Sequence, residues 1–255
     1  MTNIKFENPI IEFLLYLGDN ALMMGHRNSE WCGHGPILEQ DIALTNIALD
    51  QIGQARNFYQ YVAKLISDNT GEKTTEDSIA YLRDGWDFRN CLLAELPNGH
   101  WGTTILKQFL MAAYQYYLYQ ELETNQDQQI ASIATKSLKE ITYHLRWSAE
   151  WVVRLGQGTT ESADKMKESV SSLWPYTNEL IQFSSYELEI LGEQHQWIKE
   201  QWEAKVKQVL EEAGLAIPFN NFHQHGGKQG NHTEHLGYIL ADMQFLQRAY
   251  PNAEW

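Results

Sequence analysis

The sequence predicts an all-α protein built on a four-helix bundle, and three observations support this prediction. Apolar residues recur at helical spacing through most of the chain, whereas the period-two alternation typical of β-strands is nearly absent. Prolines are few, and Pro36, Pro97 and Pro175 bound two long stretches without a proline. The helical stretches are joined by connections long enough to include a crossover, as some four-helix bundles require.

The helix boundaries follow from prolines, glycines and polar tracts. The first helix is predicted over about 9–27, and the second from about Pro36, a favourable first-turn residue, to about Ile66. After the polar tract SDNTGEKTTEDS, a third helix is expected in two pieces, about 77–96 and 101–122, around a PNG turn. A fourth follows over about 127–155, where GQGTTES ends it.

Shorter helices are predicted beyond residue 160. The clearest covers about 186–213, and a last helix over about 232–250 follows the Gly- and His-rich loop FHQHGGKQGNH. We therefore expect a single domain over 1–255, with a core bundle at about 9–155 and a helical C-terminal annex at about 160–255.

Composition and charge exclude several classes of protein. The net charge is −14, which opposes binding to nucleic acid and to anionic membrane surfaces. No stretch approaches the roughly 20 apolar residues of a membrane-spanning helix, and the N-terminus lacks a signal-peptide pattern. Cys32 and Cys91 have neither disulfide-framework nor metal-ligand spacing. These features predict a cytoplasmic protein that has reduced thiols and binds neither nucleic acid nor membrane.

The second helix carries a polar row inside an apolar pattern. Apolar residues flank the row on both sides, so we expect part of it to face the bundle interior, where a carboxylate needs hydrogen bonds or a cation. A buried polar network around Asp50 is favoured, and a metal site is the alternative. The row consists of Glu39, Ala43, Asn46, Asp50, Gly53 and Asn57.

A di-iron bundle would use a carboxylate from each of two helices and a Glu-x-x-His pair from each of the other two. The second helix offers Asp50-x-x-Gly53 instead, and the fourth offers Ile141-x-x-His144 beside Glu140. No carboxylate lies between Glu95 and Glu121. The second piece of the third helix can therefore give the centre of the bundle only Lys107, Gln108, Met111, Tyr114 or Gln115. We therefore expect no catalytic residue and no metal in this chain. Its degenerate ligand positions are Glu39, Asp50, Glu140 and His144.

Three long segments carry a resemblance to a known family. They are YLGDNALMMGHRNSEWCGHGPILEQDIALTNIALDQIGQARNFY, KEITYHLRWSAEWVVRLGQGT and GGKQGNHTEHLGYILADMQFLQR. Together they closely resemble the C subunits of bacterial ring-1,2-phenylacetyl-CoA epoxidases, the multicomponent monooxygenases of phenylacetate catabolism, and the match covers nearly the whole chain.

The resemblance implies a ferritin-like fold and a structural, non-catalytic role within the complex. The partner would be a homologous A subunit that holds the di-iron centre, together with a small B subunit and a reductase E that carries FAD and an iron–sulfur cluster. The complex would act on phenylacetyl-CoA with O₂ and NADPH. On this interpretation Asp50 is a relic ligand position kept within a buried polar network.

Two further segments are weaker candidates for function. The run GGKQGNHTEH could form an anion site at a helix N-terminus, where Lys228 would meet the phosphates of coenzyme A, but a capping pair of Asn231 with Glu234 is favoured. His232 and His235 in the same run could bind zinc, but no third ligand is evident. The turn HRNSEWCGHGP offers no nucleophile with a base, so we expect turn structure or a subunit interface there.

Two alternative functions stay open from the residues alone. One is a self-sufficient ferritin-like metalloenzyme with an atypical site built from Glu39, Asp50, Glu140 and His144. The other is a helical interaction module unrelated to oxygenation.

Overall fold

The computed structural model describes residues 8–219, 222–250 and 253, and no β-strand occurs among them. The all-α prediction is confirmed. In chain order the α-helices are α1 (Pro9–Ser29), α2 (Leu38–Thr70), α3 (Glu76–Tyr81), α4 (Leu92–Glu95), α5 (Trp101–Leu122), α6 (Gln128–Gly156), α7 (Thr160–Leu173), α8 (Asn178–Ile181), α9 (Ser185–Leu191), α10 (Gln194–Glu212) and α11 (Glu234–Ala249).

The four long helices α1, α2, α5 and α6 form the bundle. Helix α1 packs along α2, α5 packs along α6, and α2 meets α6 across the interior. Side-chain caps set three of the starts, because each satisfies backbone N–H groups that the first turn leaves free. Asn8, His100 and Asp127 cap α1, α5 and α6 respectively. Helix α2 ends at Gly71, whose φ of 74° favours glycine.

The predicted helix over 77–96 is wrong, because the segment is interrupted between α3 and α4. After a 3-10 turn at Gly85–Asp87 the chain runs extended across α1. Arg83 is buried here, and its guanidinium forms an ion pair with the buried Asp19 carboxylate of α1. The N–H of Cys91 donates to Oδ1 of Asn20 at 2.9 Å. These contacts with α1 replace the helical hydrogen bonds of the segment.

The C-terminal half covers one side and one end of the bundle. Helix α7 packs on α5 and α6, α10 packs on the same pair, and α9 packs on α1. Helix α11 lies against the segment around α3 and α4. The predicted continuous helix over 186–213 is broken into α9 and α10, since Gly192 has a φ of 55° that no helix continues through. Within the described residues, none of the helices is both long and apolar enough to cross a membrane.

Candidate functional site

Neutral amides occupy the centre of the bundle. Asn28 of α1 donates through Nδ2 to Oε1 of Gln51 on α2 at 3.0 Å and to Oε1 of Gln108 on α5 at 2.7 Å. All three side chains are buried. One turn along α2, Nε2 of Gln54 donates to Oε2 of Glu140 on α6 at 2.9 Å. The centre therefore joins all four helices through side-chain hydrogen bonds with a single carboxylate among them.

A second polar pair lies beside the amides. Nε2 of His144 is 3.0 Å from Oδ2 of Asp50, and the imidazole donates because the ionised carboxylate can only accept. His144 is fully buried, whereas the Asp50 side chain is 36% exposed. Asp50 thus has a polar partner on a neighbouring helix, as expected of a polar network around it. The expectation that Asp50 is buried is wrong.

The polar row of α2 lies at the margin of the bundle interior, with only Ala43 buried, which corrects the predicted register of this helix. Glu39 is exposed, and a Cβ built on Gly53 would meet nothing within 4 Å. The inward pair is Gln51 and Gln54, one residue beyond the predicted Asp50-x-x-Gly53. The reason is that α2 has two apolar faces, and only one of them packs inside this chain. The residues of that inner face include Leu44, Ile47, Ala55 and Phe58.

The four predicted ligand residues do not lie together at one site. Asp50 and His144 form one pair and Glu140 bonds to Gln54, while Glu39 lies about 16 Å from Asp50 along the helix axis. A self-sufficient site built from all four residues is therefore not formed.

The third long helix, α5, presents the side chains that the sequence predicts and no carboxylate among them. Lys107 is buried, and its ammonium donates to the carbonyl of Leu96 at 2.6 Å and to Oδ1 of Asn98 at 3.3 Å. Burial, with the Arg27 guanidinium nearby, lowers the pKa of Lys107 to about 7. The five inward residues of this helix, all buried, are Lys107, Gln108, Met111, Tyr114 and Gln115.

The carboxylates of α1 are engaged elsewhere. Asp19 pairs with Arg83 and accepts from the Tyr59 hydroxyl at 2.5 Å, and Glu12 accepts from Nε of Arg89 at 2.6 Å. Both arginines come from the interrupted segment between α3 and α4, Arg83 before the 3-10 turn and Arg89 after it. Neither carboxylate is available to a ligand at the bundle centre.

The donor set at the centre does not fit a pair of iron ions. Such a pair needs several anionic oxygens and histidine nitrogens, and neutral amides are poor substitutes. No group of three or more His, Cys, Asp and Glu side chains within the described ranges is placed to hold one metal ion. Some amide atoms here, such as Nε2 of Gln51 and Nε2 of Gln108, lack a protein hydrogen-bond partner among the described residues, so the polar network is only partly satisfied.

Lys228, the candidate phosphate contact, is buried in an internal ion pair. Its ammonium lies 2.9 Å from Oε2 of Glu187, and Lys228 and Glu187 are 1% and 0% exposed. The Tyr114 hydroxyl donates to the same carboxylate at 3.2 Å, and the Lys228 ammonium sits 4.9 Å from the centre of the Tyr16 ring. A coenzyme A phosphate cannot reach this position, so the proposed anion site at Lys228 is wrong.

The loop over 226–233 donates hydrogen bonds to two more buried carboxylates. Glu179 accepts from the N–H groups of Leu92 and Gly226 at 2.7 and 2.8 Å. Glu95, fully buried, accepts from Nδ1 of His232 at 2.8 Å and from the N–H of Thr233 at 2.7 Å.

Both ring nitrogens of His232 are engaged, because Nε2 lies 3.1 Å from the Phe88 carbonyl oxygen. The zinc alternative at His232 and His235 therefore lacks its first ligand. Burial opposes protonation of His232, but the hydrogen bond to the Glu95 carboxylate outweighs it and raises the pKa of this histidine.

The turn between α1 and α2 is held by packing and hydrogen bonds. Arg27 donates to the Glu95 carbonyl at 2.7 Å and pairs with Glu30 at 2.7 Å. Nε1 of Trp31 donates to Thr104 at 2.8 Å, and the Trp31 and Trp101 rings meet edge to face at 5.3 Å. These contacts support the prediction of turn structure here.

The two cysteines are free thiols in different surroundings. Cys32 is exposed in this turn and Cys91 is buried. Burial raises the pKa of the Cys91 thiol well above its ordinary value. The structure thus agrees with the absence of a disulfide framework.

Comparison with known proteins identifies the family. The family model described as "Phenylacetic acid catabolic protein" matches residues 1–255. Among curated proteins, the C subunit of the 1,2-phenylacetyl-CoA epoxidase of Escherichia coli (strain K12) is 43% identical over 254 residues, which cover 97% of this chain and 100% of that relative. The predicted ferritin-like fold is confirmed by the family match together with the helical bundle. On this evidence the chain belongs to the phenylacetic acid catabolic protein family.

Proposed function

We propose that this chain is the C subunit of a 1,2-phenylacetyl-CoA epoxidase and that its role in the complex is structural and non-catalytic. The observation that carries the proposal is the amide centre of the bundle, where Asn28 donates to both Gln51 and Gln108 and the side chains are neutral amides, not metal ligands. The 43% identity to the C subunit of the E. coli epoxidase supports the assignment of this chain to that complex.

The catalytic chemistry is then carried by the other subunits. A homologous A subunit would hold the di-iron pair, and a reductase E with FAD and an iron–sulfur cluster would deliver electrons, with the small B subunit completing the assembly. The substrate of the complex would be phenylacetyl-CoA. This chain would bind the A subunit and stabilise its bundle without touching the reacting atoms.

Hydrogen bonds to other residues of this chain support a structural role for Glu140 and His144. Glu140, the carboxylate nearest to the amides, already accepts from Gln54, and His144 already donates to Asp50. Glu140 and His144 are thus each held in position by a hydrogen bond within this chain. Their removal is therefore expected to change folding and assembly before it changes chemistry.

The test is reconstitution of the complex with variants of this chain. We expect His144→Ala and Gln51→Ala to leave the iron content and turnover of each assembled complex unchanged, even where less complex assembles. Asp68→Ala, at an exposed position of α2, is the matched surface control for turnover. An assembled His144→Ala complex that keeps its iron and loses turnover by orders of magnitude would show that this chain contributes to catalysis.

A further inference from the structure

Nine buried polar atoms inside the bundle have no hydrogen-bond partner within the described part of the chain. We call them the central polar cluster, and they come from all four long helices. They are Oδ1 of Asn28, Nε2 of Gln51, Oε1 of Gln54, Nε2 of Gln108, both amide atoms of Gln115, the hydroxyls of Tyr119 and Ser137, and Nδ1 of His144. A buried donor or acceptor without a partner costs free energy, so folded proteins pair nearly all such groups.

The side chains of the cluster share faces of their helices. On α5, Gln108, Gln115 and Tyr119 follow one another at steps of seven and four, which keeps them on one side of the helix. On α6, Ser137 and His144 are two turns apart on one side. Each set therefore forms a line along the bundle axis.

Contacts between helices bring these lines together. The hydrogen bonds of Asn28 to α2 and α5 hold one end of the cluster. Toward the other end, burial and the Glu140 carboxylate raise the pKa of Tyr119, while Gln115 lowers it. Both groups therefore lie beside this phenol, although its hydroxyl makes no hydrogen bond of ordinary geometry to either of them. The nine atoms thus belong to one stretch of the bundle interior.

The cluster presents donors and acceptors together. His144 donates through Nε2 to Asp50, so Nδ1 of the neutral imidazole is an acceptor. Gln54 donates to Glu140, which leaves its Oε1 as a second acceptor. Gln115 adds a donor and an acceptor whichever way its amide is turned. The mixture therefore does not depend on how the amides are oriented.

This mixture selects the class of ligand. A metal cation binds acceptors alone, an anion binds donors alone, and an apolar molecule satisfies neither. Water donates and accepts, and a buried water typically makes about three hydrogen bonds to polar groups of this kind. At that ratio, about three water molecules satisfy the nine atoms of the cluster.

We propose that the centre of this bundle is a hydration site, in which a short chain of internal water molecules joins α1, α2, α5 and α6 through the central polar cluster. The water chain approaches solvent at His144, whose other ring nitrogen bonds to the partly exposed Asp50. This property belongs to the folded chain itself, so it does not depend on the proposed function.

The experiment counts slowly exchanging internal waters in the purified full-length chain by magnetic relaxation dispersion of water oxygen-17. Gln115→Met keeps the length of the side chain and removes both amide atoms, so it should lose at least one long-lived water per chain. Its urea midpoint should also fall, because the waters and the remaining cluster atoms lose partners. Gln129→Met, at an exposed position of α6, is the matched control and should keep the wild-type count.

An unchanged water count in Gln115→Met would overturn the proposal, and a higher urea midpoint would then identify an amide buried without water. If Gln115→Met does not fold, Ser137→Ala decides. It removes one buried hydroxyl and should shorten the residence time of the waters, whereas an unchanged signal would overturn the proposal. A crystal of the wild-type chain gives an independent test, since an anomalous metal signal or the density of an organic molecule at the cluster would also overturn it.

Discussion

Nε2 of the fully buried His144 donates to the partly exposed carboxylate of Asp50 at 3.0 Å, across the line where α2 meets α6. The two residues depend on this hydrogen bond to different extents. Asp50 has water as an alternative partner, whereas the buried imidazole depends on this carboxylate for its Nε2 hydrogen bond.

Substitutions of Asp50 are expected to act through His144. Asp50→Asn keeps an acceptor oxygen and should change the free energy of unfolding little, whereas Asp50→Leu strands the buried Nε2–H and should cost about 1–3 kcal/mol. Asp68→Leu, at an exposed position of the same helix, is the control for loss of a surface charge. Urea unfolding measures all three, and equal stabilities of the two Asp50 variants would contradict the dependence of His144 on this contact.

The buried ion pair of Lys228 and Glu187 should be strongly coupled. Lys228→Met leaves the Glu187 carboxylate buried without its cation and should cost about 3–5 kcal/mol in the free energy of unfolding. Combining it with Glu187→Gln should cost less than the sum of the two single changes. Lys165→Met, in an exposed ion pair with Glu161, should cause no measurable loss. Additive single effects in urea unfolding would rule out the coupling.

Docking of the C-terminal segment should depend on pH through His232. Because the folded state raises the pKa of this histidine, its stabilising contribution is complete below the ordinary pKa of about 6.5 and is lost as the pH rises through the higher folded value. The loss of stability in His232→Gln should therefore be largest at about pH 5.5 to 6 and shrink toward about pH 8.5. Gln229→Ala, at an exposed position of the same loop that carries no titrating group, should show no such trend in the same unfolding series.

For Lys107 we expect the opposite dependence of stability on pH. Its folded pKa of about 7 lies below that of an unfolded lysine, so the folded state binds fewer protons between these values and stability rises with pH there. Lys107→Met removes this slope. Between about pH 7 and 9, the free energy of unfolding of the wild type should therefore rise relative to that of the variant, by up to about 1.4 kcal/mol for each pH unit. A difference that does not change with pH would mean that Lys107 stays charged when folded.

The sequence was sufficient where prolines, glycines and polar residues mark the ends of a helix. Helices α1, α5 and α6 lie close to their predicted bounds, and the five predicted inward residues of α5 are all buried. It was insufficient for α2, because Leu38, Ile42 and Leu49 are as apolar as the residues of the inner face. Periodicity alone cannot tell a face that packs within the chain from one left open.

Two other differences arise from contacts between distant segments. The helix predicted over 77–96 is interrupted because Arg83 pairs with Asp19, and no local pattern reveals that pairing. The loop with Lys228 has the N–H groups and the cation of an anion site, but the anions are carboxylates of the same chain. The amides Gln51, Gln54 and Gln108 were not predicted together as a centre, since single glutamines carry no spacing signal.

The loop over 226–233 also determines when the fold can close during synthesis. Glu95, Glu179 and Glu187 leave the ribosome well before the groups that compensate them, among which are Lys228 and His232. Until those residues emerge, the three carboxylates stay hydrated and the C-terminal helices cannot seal the end of the bundle. Folding of this chain is thus tied to long-range contacts, and apolar surface at this end of the bundle stays exposed until the loop over 226–233 has been synthesised.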